Sequence, residues 1–262
     1  MKNICSIAII ASVILCGSCG NKKQQPVRTQ VGLSQGKILY PIPTAYEVTN
    51  RINQSGAAFV IGITNPVGNA EKYLTEAQKA LNVGIYGADL AYVSTYNMEQ
   101  ETRNYLKALH TLTNALDIST NFNADLVRQV EQNIDNKDTV INIITRSFND
   151  TYDFLVNNGQ DDISLFVLVG TWIEGMYVAT YLATTSEKTE TMLDIVAGQK
   201  SSLHTLLDLL DDTQNADLQQ LEAQIAVLKS SLIPADNAKF TLDNAIAFRE
   251  KIEVLRNSLI NE

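Results

Sequence analysis

Between Ile163 and Ala183 lie 21 residues with a single charge, Glu174, and no other stretch restricts the fold as much. By length the run could cross a bilayer. A carboxylate near its middle would cost about 3 kcal/mol there on insertion scales, so a helix buried in a protein core is the better reading. The rest of the chain offers cover for it. Leu218, Leu221, Ile225, Leu228 and Leu232 step by three and four, which lines one face of a helix. Ile141, Ile144, Phe148, Tyr152 and Leu155 do the same, as do Leu242, Ala245, Phe248, Ile252, Leu255 and Leu259. No stretch alternates convincingly with period two. The expected fold class is all-α, a single multi-helix bundle over 43–262 with short connections that make successive helices antiparallel neighbours.

Capping residues mark the boundaries. Asn69, Asn97, Asn123, Asp138, Asp161, Ser186, Asn215 and Thr241 each precede a periodic run and can accept from its free amides. The spacing predicts about nine or ten helices, over 43–56, 70–82, 83–96, 98–116, 124–135, 138–157, 162–184, 187–211, 215–232 and 241–261. The second and third could be one helix kinked near Gly84 and Gly87. Residues 57–69, apolar at first and then Thr-Asn-Pro with two glycines, are expected to form an ordered loop packed on the bundle.

The N-terminus has a different character. Met1 and Lys2 precede an apolar run from Ile4 to Leu15, followed by Gly17, Ser18 and Cys19, the layout of an export signal. Leu15-Cys16-Gly17-Ser18-Cys19 resembles the lipobox of bacterial lipoproteins, in the relaxed form of Bacteroides-type bacteria, although Leu15 stands four residues before Cys19 instead of three. The resemblance implies a signal peptide over 1–18, lipid attachment at Cys19 and a flexible tether over 19–42. Lys22 and Lys23, in place of a sorting Asp or an acidic stretch, imply an outer-membrane lipoprotein on the periplasmic face. All three cysteines lie at or before position 19, so the mature chain can form no disulfide and must rest on its core. A net charge of −9 makes nucleic acid a poor partner.

Two segments echo each other. Asp89-Leu-Ala-Tyr92-Val93-Ser-Thr95-Tyr96 and Glu174-Gly-Met-Tyr177-Val178-Ala-Thr180-Tyr181 each place an acid on a helical stripe of tyrosines. His110 and His204, both in Leu-His-Thr-Leu, form a second echo, which raises a duplicated helical hairpin as an alternative. The acids need partners. Either Arg146 or tyrosine hydroxyls satisfy them internally, or Asp89 and Glu174 line a ligand cleft ringed by Tyr86, Tyr92, Tyr96, Trp172, Tyr177 and Tyr181. Gly84, Gly87, Gly170 and Gly175 read as close helix contacts. The chain has no nucleophile elbow, phosphate loop, dinucleotide fingerprint or metal-ligand spacing, so no catalytic residue, cofactor or metal is assigned.

The stretches Gly84–Tyr92 and Trp172–Tyr177 are similar to helical lipoproteins of Bacteroides-type bacteria, a resemblance that carries no activity with it. The reading is a cell-envelope lipoprotein, membrane-bound through its lipid, that binds or scaffolds a protein, peptide or glycan without catalysis. The alternative is a glycan hydrolase using the two acids, which would need its carboxyls about 5–9 Å apart in an open cleft.

Overall fold

The computed structural model describes residues 45–118, 123–232 and 238–261. Cys19 and the stretches expected to form a signal peptide and a tether lie outside them. Every regular element among the described residues is helical: α1 (Ala45–Gln54), α2 (Glu76–Thr95), α3 (Glu99–Ala115), α4 (Asn123–Gln132), α5 (Lys137–Asn157), α6 (Asp161–Thr185), α7 (Thr189–Ala197), α8 (Lys200–Asp211), α9 (Ala216–Ala226), α10 (Lys229–Leu232) and α11 (Leu242–Asn261). A 3-10 turn, Val67–Glu71, precedes α2. Only two residues separate α7 from α8 and α9 from α10, so the path is that of about nine helices.

The apolar run becomes α6, buried along nearly its whole length. Its closest partner is α2, and glycine makes the approach possible. A Cβ on Gly84 would stand 2.0 Å from the Val167 carbonyl oxygen, and one on Gly170 would stand 2.0 Å from that of Leu81. The contacts are reciprocal, each glycine lying against the residue three before its counterpart. Gly84 meets 167 and 171 while Asp89 meets Glu174, so the contacts advance in the same direction and the two helices run parallel. Helix α11 runs the other way, with Arg256 on Glu174 and Arg249 on Thr184. Gly87 leaves the slot filled by the Phe148 ring of α5. Gly175 meets only Ala45, at ordinary distance.

Local chemistry moved several boundaries. The helix expected from residue 70 starts at Glu76, because Thr75 and Gln78 form a reciprocal capping box while Asn69 is used elsewhere. From there α2 passes Gly84 and Gly87 as one continuous helix. Asn97, at φ 57°, closes α2 instead of opening α3. Asn136, not Asp138, caps α5. Asp161 falls inside the first turn of α6, and Ser186 ends that helix instead of capping the next. Asn215 caps α9 as expected, and Thr241 exchanges hydrogen bonds with Asn244 at the start of α11.

Candidate functional site

The segment 57–69, which runs from the end of α1 into the first residues of the 3-10 turn, is a strap laid along α2. It forms no backbone ladder before Asn69, so its inward-facing polar groups need side-chain partners. The tyrosine stripe supplies them in register. Tyr96 donates to the Ala57 carbonyl at 2.7 Å, Tyr92 accepts from the Val60 amide at 2.9 Å, and Tyr86 donates to the Pro66 carbonyl at 2.8 Å. Asp89 accepts from the Asn65 amide at 3.0 Å, Tyr105 of α3 donates to the Asn65 carbonyl at 3.0 Å, and Arg256 of α11 donates to the Ile63 carbonyl at 3.1 Å. Descending α2 from 96 to 86, the strap ascends from 57 to 66. Burial pushes the phenols up, Tyr96 to about 12, so all remain neutral hydrogen-bonding groups.

Beneath the strap the two acids do meet, but in a sealed core. Asp89 and Glu174 are both 0% exposed and Arg256 is 5% exposed. Arg256 grips Glu174 with two nitrogens, at 2.7 and 2.8 Å, and its guanidinium lies 4.3 Å above the Tyr177 ring centre. Burial alone would weaken the hold of Arg256 on its proton; the Glu174 carboxylate outweighs it, so the guanidinium stays charged. Burial first, then the charge of Glu174, drives the Asp89 carboxyl well above the usual carboxylate range against the pull of Arg256. Asp89 Oδ1 receives no donor, and the Asp89 carboxyl lies beside that of Glu174; a proton on Asp89 turns that approach into a hydrogen bond and balances the cluster as one anion and one cation.

The open ligand cleft is therefore corrected. Asp89, Glu174, Tyr86 and Tyr177 converge on one buried network, while Tyr92 and Tyr96 spend their hydroxyls on the strap, with Phe59 stacked on Tyr92 at 5.0 Å. Tyr181 sits farther along α6 under Arg249, and Trp172 is buried with its Nε1 unpartnered. The cation proposed for the acids, Arg146, is exposed, and Arg256 takes its place. Sequence spacing does carry a signal for it: Phe248, Ile252 and Arg256 step by four along the apolar stripe of α11.

A second network, missed entirely, joins the strap to the end of α11. Asn65 donates to Tyr73 and Asn82, Asn69 donates to Asn65 and to the Ile260 carbonyl, and Asn82 donates to the Leu259 carbonyl at 3.1 Å. These amides satisfy carbonyls that a helix C-terminus leaves open.

The two echoed segments form the central helix pair, yet their tyrosines do different work, on a backbone strap in α2 and under arginines in α6. The second hairpin also has a break at Gly198 and Gln199 that the first lacks. His110 and His204 lie on the surface. Among the described residues no group of three or more His, Cys, Asp or Glu is placed to hold a metal ion. Comparison of the chain with protein families, with characterised proteins and with solved structures finds no match.

Proposed function

We propose that the chain is a cell-envelope lipoprotein, anchored through Cys19 on the periplasmic face of the outer membrane, that acts as a non-enzymatic binding module and offers the 57–69 strap to a polypeptide partner. The observation that carries this reading is the way the strap is held. Side chains from α2, α3 and α11 fix its inner side, while Ile61 at its bend is 85% exposed. Long ordered loops on a rigid scaffold commonly serve recognition. The strap contains no charged residue, and the amides and carbonyls of Ala58, Ile61 and Gly62 have no partner among the described residues. Such a surface suits another polypeptide; a second copy is opposed by the net negative charge that each would carry. The hydrolase alternative draws no support from a carboxylate pair closed to solvent.

Two measurements test the reading. Cys19→Ser should move the chain from the membrane to the soluble fraction, and continued membrane retention would overturn the anchor. A photo-crosslinking side chain at position 61 should give a discrete adduct in intact envelopes. Val254, 73% exposed on α11, is the control position. No adduct at 61, or the same adducts from 254, would overturn the strap as the binding surface.

A further inference from the structure

Three ionisable groups meet under the strap, and two of them also hold it. Asp89 accepts the Asn65 amide and Arg256 donates to the Ile63 carbonyl, so the centre of the strap is fastened to the same cluster that has to share one proton. We propose that the Asp89–Glu174–Arg256 cluster is a proton-dependent latch, closed on residues 63–65 while Asp89 carries a proton and released when that proton leaves.

The argument is one of charge and of what can yield. With the proton, Asp89 donates to Glu174, Glu174 is held by Arg256, and the buried cluster is neutral. Without it, two carboxylates share one guanidinium in a dry core, and the second anion must find water. The other groups facing Asp89 cannot supply relief. Glu174 from α6 is committed to Arg256 from α11, and Tyr86 and Tyr92 of α2, Tyr105 of α3 and Tyr73 ahead of α2 are phenols held neutral by burial. The strap itself contains no titratable residue between Ala57 and Asn69. Helices α2, α6 and α11 are held by their own ladders, whereas the strap depends on side chains. Water therefore enters by lifting the strap. In a chain outside the cytoplasm, as read above, such a latch answers to external pH.

Hydrogen exchange on the full chain in detergent, followed in the peptide covering 57–69 from pH 6 to 10 and normalised to intrinsic rates, tests the latch without any ligand. Strap protection should fall by about tenfold per pH unit across the range in which the closed strap keeps the Asp89 proton and the open strap has lost it, the slope of a single linked proton, while α6 stays protected. Asp89→Asn keeps the two hydrogen bonds and cannot ionise, so its strap should hold across the range. A flat wild-type profile, or the same decline in Asp89→Asn, would overturn the proposal. Infrared spectroscopy supplies a measurement independent of any variant: a protonated-carboxyl band should be present at neutral pH and vanish only at the pH where strap protection is finally lost, and its absence at neutral pH would also overturn the latch. Neither outcome bears on whether the strap binds a partner, which the crosslinking experiment decides separately.

Discussion

Arg256 and Glu174, 82 residues apart in sequence, form a two-point ion pair sealed inside the bundle. Surface pairs such as Arg103–Glu99 at 3.6 Å, whose side chains are 34% and 40% exposed, contribute at most about 1 kcal/mol. The buried pair is different in kind, because removing one member leaves the other as an uncompensated charge. Arg256→Met should destabilise the fold by about 3–5 kcal/mol in denaturant titration, because Asp89 cannot replace the lost cation. Replacing both, as Glu174→Leu with Arg256→Met, should recover much of that loss, since no buried charge remains.

Asp89 should behave in the opposite way. Its carboxyl is held well above the ordinary aspartate value of 3.8 by burial and by Glu174, so the folded chain keeps a proton that the unfolded chain releases. The stability this confers is complete below pH 3.8 and is lost progressively as pH rises toward the folded value. Asp89→Asn should therefore match or exceed wild-type stability at pH 7, and its stability should lose most of the downward slope above pH 4. Thermal unfolding across pH 4 to 9 checks both statements, and a variant much weaker than wild type at pH 7 would contradict them.

The glycines at the α2–α6 crossing should rank by what a methyl would strike. Gly84→Ala and Gly170→Ala drive a Cβ into backbone carbonyls and should cost about 3 kcal/mol or more, because two main chains have to separate. Gly87→Ala meets only the far edge of the Phe148 ring, which can turn aside, and should cost less. Gly68→Ala meets nothing within 4 Å and should be close to neutral. Midpoints of urea unfolding for the four variants give the order directly.

Removing a single hydroxyl from the strap's support should loosen it locally. Tyr105→Phe leaves the Asn65 carbonyl without its donor in a buried position, at a cost of about 1–3 kcal/mol. Tyr96→Phe frees the Ala57 carbonyl nearer the surface, where water can replace the phenol, and should cost less. Limited proteolysis within 57–69 should speed up more in the first variant than in the second.

The part of this architecture legible in the sequence is the part encoded locally. Apolar residues at steps of three and four belong to their own helix, so the all-α class and most helix spans could be read from them, and Asn215 and Thr241 announced their caps because a cap acts within three residues. Boundaries failed where a residue had two possible uses: Asn69 can cap a helix, but here it is drawn into the network on α11, and Thr75 with Gln78 fixes the start of α2 instead. The acids and tyrosines were likewise legible as a stripe that must be shielded.

What they would face was not legible, because a stripe specifies a side of a helix and not its neighbour. The neighbour of the first tyrosine stripe is a strap whose free backbone groups consume the hydroxyls, so a surface that could have read as a ligand cleft is filled by the protein itself. Sequence already required that an apolar helix carry a carboxylate into the core and that the carboxylate find a partner, with a cation, tyrosine hydroxyls and a ligand cleft all compatible with it. Only the antiparallel return of α11 decided that the cation is Arg256 and not the exposed Arg146: spacing places Arg256 on the apolar stripe of α11, but which helix comes back beside α6 is not contained in it.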